Sequence, residues 1–287
     1  MAIKKRKSAA TKKGRPAAKK VRMPAAKKTR RGRVPAIRDV IRIVPLAAPN
    51  ELFHHVAAVP AAPPPQLTYR GGQLMSSVQV FNLYIGAAWS TGNPKTVAAG
   101  LDAFFKFVVA SPLIDQLAEY DVPKYKITHG KFLGSKVLST ILPPSSVTDA
   151  WMRKTLQKAI TAGGGVPKAG PNVLYFLYLP PGVSLTQGGG KSCQAFCGYH
   201  DHIDGKIFYA AMPYANCNGC LGGLSTLDAL TSVSSHELCE AITDPVPGTG
   251  WYDDANGEIG DICAWETKKM GSYTVQKEWS NAQGQCV

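Results

Sequence analysis

The segment STLDALTSVSSHELCEAITDP, residues 225–245, restricts this chain more than any other stretch, because it reads as a helix that carries ionisable groups inward. Leu227, Leu230, Val233, Leu238 and Ile242 recur at helical spacing, which predicts a helix over about 226–243. Ser225, with Asp228 three residues on, reads as a capping box with aspartate in the usual place of glutamate. Asp244 stops the helix, because the following Pro245 pushes it out of the α region. His236 and Glu240 lie four residues apart and so share a face. An imidazole nitrogen and a carboxylate oxygen on adjacent turns make half of a tetrahedral zinc site. Glu237 stands where the glutamate of an H-E-x-x-H helix acts as general base. Glu240 replaces the second histidine of that pattern, which places more negative charge on a cation.

A third ligand is expected from GEIGD downstream, where either Glu258 or Asp261 binds the metal and the other orients His236. A plainer reading takes HELCE as only the amphipathic part of a buried helix. In DDANGEIGD, Asp254, Asn256 and Glu258 also suggest an oxygen-rich calcium loop, although the complete EF-hand pattern is missing.

The net charge of +14 suggests a nucleic-acid binder until it is located. Residues 1–33 hold 15 of the 33 basic residues and no acid, leaving 18 basic against 19 acidic residues elsewhere. Residues 1–35 therefore read as a disordered basic tail, too poor in apolar surface to fold. Such a tail binds nucleic acid or other anionic surfaces through counterion release, without sequence preference; a merely solubilising extension is the alternative. It lacks the apolar core of a secretory signal peptide, and no run is long and apolar enough to be a transmembrane segment. Residues 36–66, rich in proline and alanine, read as a linker.

The folded domain is expected over 67–287. VQVFNLYIG reads as a strand, and Asn93-Pro94 opens a helix whose Leu101, Phe104, Phe105 and Val108 form a core stripe. YKITHG and KVLSTIL read as two short strands, VTDAWMRKTLQKAITAG as a helix, and NVLYFLYLP and KIFYAAMPY as strands. TQGGGK lacks phosphate-loop spacing and reads as a flexible bend. His200 and His202 either share a strand face or sit in a turn beside a cleft; His200 is the stronger candidate, as an extra ligand or a transition-state donor. This order matches an α+β, zincin-like fold: a mixed sheet with packed helices and an active-site helix near 226–243. In such a fold a nearby strand offers a peptide substrate backbone hydrogen bonds.

Seven cysteines stand at 193, 197, 217, 220, 239, 263 and 286. Cys239 lies inside the helix and reads as a buried thiol. The other six suggest three disulfides and an oxidising compartment. A structural zinc site built from Cys193, Cys197, His200, Cys217 and Cys220 competes with that reading, but leaves Cys263 and Cys286 without a role.

YRGGQLMSSVQVFNLYIGAAWS, FCGYH, CNGC, SVSSHELCEAITDP, GWYDD, EIGDICAW and the closing EWSNAQGQC resemble the phosphate-induced protein family that includes plant exordium, and most closely its bacterial and fungal branch. The resemblance spans roughly 67–287. It places Cys197, His200, Cys217, Cys220, His236, Glu237, Glu240, Glu258, Asp261 and Cys263 on family motif positions. It implies an extracellular or wall-associated protein; the missing signal peptide and basic tail leave a cytoplasmic location as the alternative. Two functions follow as expectations. One is a zinc-dependent hydrolase, a metallopeptidase in which His236, Glu240 and Asp261 or Glu258 hold zinc and Glu237 is the base. The other is a non-catalytic extracellular module that binds carbohydrate or protein.

Overall fold

The structure is a computed structural model and describes residues 1–2, 43–47 and 64–287. The readings of a disordered tail and of most of the linker fall outside these residues. In chain order the main elements are β1 (Val44–Pro45), β2 (Ser77–Ile85), α1 (Gly92–Val108), β3 (Thr128–Leu138), α2 (Asp149–Ala162), β4 (Val173–Tyr178), β5 (Phe196–Ile203), β6 (Ile207–Met212), α3 (Thr226–Thr243), β7 (Thr267–Met270) and β8 (Tyr273–Gln276). Short strands and turns fill the intervals.

Six strands form one mixed sheet in the order β1-β5-β6-β4-β2-β3. Strands β6, β4, β2 and β3 run parallel, while β5 is antiparallel to both β6 and β1. The chain is therefore α+β, as its pattern implies. Strand β4 explains the layering. Leu174, Phe176 and Tyr178 join a core with α1 and α3, and Val173, Tyr175 and Leu177 join a second core with α2. A central parallel strand covered on both faces has no polar face, which is why its sequence is a continuous apolar run.

Helix α3 matches its expected limits. Ser225 Oγ accepts the Asp228 N–H at 3.1 Å and donates to Asp228 Oδ2 at 2.7 Å. Fifteen of its eighteen residues, from Ala229 to Thr243, are buried. Small polar side chains let neighbours approach on two sides. Ser234 Oγ meets the Tyr178 hydroxyl of the sheet at 2.7 Å, and Ser235 Oγ accepts the Gln276 N–H of the β7–β8 hairpin at 2.8 Å. The helix is thus clamped between the sheet and a hairpin.

Three elements differ from the sequence reading. YKITHG and KVLSTIL belong largely to one strand, β3, which absorbs an irregularity where Val80 pairs Phe132 and Phe81 pairs Gly134, leaving Leu133 unpaired. TQGGGK is a tight hairpin turn between two short strands, 184–187 and 190–191. Val44–Pro45, within the stretch read as linker, pairs with Gly198 and Phe196 on β5, and Val44 is buried. Trp265 Nε1 donates to the Pro45 carbonyl at 2.8 Å and the Ala47 N–H to Gly219 at 2.8 Å. Covering an otherwise open sheet edge supplies partners for its backbone groups, a role that so short a segment does not advertise.

Disulfides join Cys193 to Cys217, Cys197 to Cys220, and Cys263 to Cys286, with Cys239 free and buried. The competing zinc site is corrected: its four sulfurs are bonded to one another in pairs. Closing loops of this size contributes about 3 kcal/mol each. The three bonds place folding in an oxidising compartment. Among the described residues no single helix is long and apolar enough to cross a membrane.

Candidate metal centre

Two histidines and four acids converge beneath the β5 end of the sheet. Helix α3 supplies His236, Glu237 and Glu240; β5 supplies His200; the turn after the helix supplies Glu258 and Asp261. Their side chains are sealed, none more than 4% exposed. Two backbone surfaces close on them at glycines. A Cβ on Gly260 would fall 2.7–2.9 Å from three atoms of the His236 ring, and one on Gly198 would fall 3.2 Å from Glu237 Oε1. Any side chain at Gly260 would displace the imidazole.

The residues fall into two sets that share Glu240. His236, Glu240 and Asp261 form one; His200, Glu240 and Glu258 form the other, and within each set the potential ligand atoms all lie within 4.8 Å. Glu240 Oε1 is 2.9 Å from His236 Nε2, and Glu240 Oε2 is 3.3 Å from His200 Nδ1. Glu237 Oε2 is also 3.3 Å from His200 Nδ1, while Glu258 Oε1 is 3.6 Å from His200 Nε2. Asp261 Oδ1 lies 4.0 Å from His236 Nε2. Both acids expected downstream therefore enter the cluster, each facing a different histidine.

What these groups lack is donors. His236 Nε2, Glu237 Oε1, Glu240 Oε2, both Glu258 oxygens and Asp261 Oδ1 are buried without a hydrogen-bond partner. His236 Nε2 approaches Glu240 Oε1 to 2.9 Å without the alignment of a hydrogen bond. Native proteins leave few buried polar atoms in this state, and a bound ion is among the causes of such convergence. The donor set therefore fits a metal. Imidazole with carboxylate suits manganese, iron or zinc better than calcium, which takes oxygen.

Without a cation the cluster must hold protons. Burial opposes the charge on His236, but Glu240, with Glu237 and Asp261, outweighs it and raises the imidazole to about 10. For His200 burial is likewise outweighed, chiefly by Glu258, Glu237 and Glu240, and the ring is held well above its ordinary value. Glu240 is pulled down to about 2: burial would raise it, but the two histidines win. Burial raises Glu237, and carries Glu258 and Asp261 well above the carboxylate range.

Surrounding residues aim the histidines. His200 Nε2 faces the Asp244 carbonyl at 3.1 Å, so that nitrogen carries a proton and Nδ1 is left toward the acids. The Asp244 carboxylate in turn accepts the N–H groups of Gly248, Thr249 and Gly250, holding the turn that delivers Glu258. His236 Nδ1 meets Gln276 Nε2 at 2.8 Å, and the same amide donates to the Gly260 carbonyl at 2.8 Å. As oriented, that amide leaves the imidazole proton on Nε2. A cation on Nε2 requires the proton on Nδ1 and the Gln276 amide turned to accept it. The orienting role expected of Glu258 or Asp261 thus belongs to Gln276, which no local pattern identifies. Asp244 was visible only as a helix stop. Glu278, buried against the Cys239 thiol, was also missed, and burial raises both groups.

Two expectations do not assemble. His202 Nδ1 accepts the Gly205 N–H in the β5–β6 turn, so His200 alone of the pair joins the acids. In the suggested calcium loop the Asp254 side chain is 92% exposed and pairs with Arg70, whereas Glu258 turns into the buried cluster. Asp253, not Asp254, ties that loop by accepting the Ala255 and Asn256 N–H groups.

No family model, curated protein or solved structure matches this chain.

Proposed function

We propose that this chain is a secreted, disulfide-stapled module of the exordium type, organised around a closed divalent-cation centre and non-catalytic. It would engage carbohydrate or a protein partner through its outer surface. The observation that carries this reading is the sealing of the site: the atoms that would face a cation have essentially no accessible surface. Structural metal sites are closed by their own ligands, whereas hydrolytic ones keep a position open for water and substrate. His236, Glu240 and Asp261 would hold the ion, which when bound supplies positive charge that neutralises the buried acids. Three disulfides and the exordium resemblance support secretion.

A second reading, a zinc metallopeptidase, is favoured by Glu237. A purely structural centre has no use for the partnerless Oε1 that Glu237 turns in beside the ligand histidine. Zinc would supply a Lewis acid there. Glu237 would take the proton of a water attacking an amide carbonyl and pass it to the leaving nitrogen. Substrate backbone would pair along the outer edge of β5 by displacing Val44–Pro45, which covers it.

The full chain, loaded with zinc, separates the two. The module reading expects no hydrolysis of a peptide library, with and without Glu237→Gln, and a melting temperature that falls on chelation. Turnover that Glu237→Gln abolishes at unchanged metal content would establish the peptidase instead.

A further inference from the structure

The donor set is too large for one ion. We propose that the cluster holds two divalent cations bridged by the Glu240 carboxylate, one on His236 and Asp261, the other on His200 and Glu258. This rests on the reading that the cluster binds metal at all, and extends it from one ion to two.

Three observations carry it. First, Glu240 divides its oxygens: Oε1 lies beside His236 Nε2 at 2.9 Å and Oε2 beside His200 Nδ1 at 3.3 Å. A carboxylate that turns one oxygen to each of two imidazoles is placed as a bridge. Paired ions in two-metal sites stand about 3.5–4 Å apart, a span one carboxylate covers. Second, each half has its own terminal acid with an unpartnered buried oxygen, Asp261 Oδ1 on one side and both Glu258 oxygens on the other. Neither acid duplicates the other, because they face different histidines.

Third, two divalent cations neutralise all four acids without any proton. Glu237, Glu240, Glu258 and Asp261 bring four negative charges when ionised, and among the described residues no lysine or arginine pairs with any of them. One divalent cation leaves two of those charges for protons to neutralise in a sealed site; two cations leave none. Buried charge without compensation is among the costliest features a fold can hold. His200 is already set for its ion. With Nε2–H on the Asp244 carbonyl, Nδ1 faces the Glu237 and Glu240 oxygens at 3.3 Å each, where a cation would take the place of the proton that Nδ1 otherwise shares with Glu237.

Metal content of the full chain tests this. The protein is stripped with chelator, titrated with zinc, freed of excess and assayed by elemental analysis; parallel samples receive manganese for electron paramagnetic resonance. The expected result is two equivalents per chain, falling to one in Glu258→Gln and to one in Asp261→Asn. The second manganese equivalent should broaden the signal of the first through exchange coupling. A ratio of one that Glu258→Gln leaves unchanged would overturn the second cation and leave the single centre standing. A ratio of zero in folded protein, with protons alone filling the cluster, would overturn both. Should the variants fail to fold, the manganese spectrum of the unaltered chain decides: an isolated-ion signal whose second equivalent stays free in solution refutes the pair.

Discussion

Asp102 on α1 and Glu240 on α3 are both carboxylates packed against the same side of the sheet, yet their surroundings are opposite. Asp102 is ringed by donors, accepting from Asn82 Nδ2, the Tyr84 hydroxyl and the Ser135 hydroxyl. Glu240 faces two imidazoles and three other acids, and one of its oxygens has no partner. Around Asp102 the fold has supplied what a negative charge requires. Around Glu240 the fold collects acceptors and leaves the compensating charge to come from outside. The difference separates an acid that serves packing from acids assembled to bind something.

The contrast breaks most visibly at its centre. Glu240→Gln should remove the bridging charge and strand the other buried groups, lowering stability by about 3–5 kcal/mol, or roughly 10 °C in melting temperature. Calorimetry in excess zinc checks this, and an unchanged transition would place Glu240 on the same footing as an ordinary buried acid.

Next in size is the response to pH. In cation-free protein, burial raises Glu258 and Asp261, and the acids raise His200 and His236. A group held above its unfolded value stabilises the fold fully below that value and progressively less as pH rises through the folded one. Glu240, held at about 2, runs the other way, but its contribution is lost only as pH falls toward that value. Chelated protein should therefore lose stability as pH rises from about 5 toward about 10, where His236 gives up its proton, while metal-loaded protein gains it, because the cation must displace those protons. Melting temperatures with and without chelator should follow opposite slopes; parallel slopes would erase the distinction between the two acids.

A smaller effect is expected at Asp102. Asp102→Asn keeps an acceptor for some of its donors, so the loss should be about 1–2 kcal/mol, the same with chelator as without. Dependence on metal would tie α1 to the centre after all. Smallest is Asp254→Ala, which removes only an exposed pair with Arg70. It should change stability by less than about 1 kcal/mol and leave metal content intact; a lost equivalent would reinstate the calcium loop.

Local chemistry made α3 legible. Its cap at Ser225, its stop at Asp244-Pro245 and the common face of His236 and Glu240 follow from residues within a few turns of one another. The apolar run of β4 announced a strand buried on both faces, and the six cysteines outside α3 announced three bonds. These features depend on short-range geometry, where a helix or strand repeats every few residues and composition is enough. The helix itself, with one histidine and three acids, was therefore determined by sequence alone.

Tertiary structure decided how those groups are satisfied. His200 arrives from β5 only because that strand pairs beside β6 with Ala210 opposite it. Glu258 and Asp261 part toward different histidines because the turn after α3 is pinned by Asp244. Gln276 reaches His236 from a hairpin 40 positions away, and Val44 seals the β5 edge from the far end of the domain. No local period encodes such meetings. They are set by which surfaces must be buried together, and that is a property of the whole packed chain.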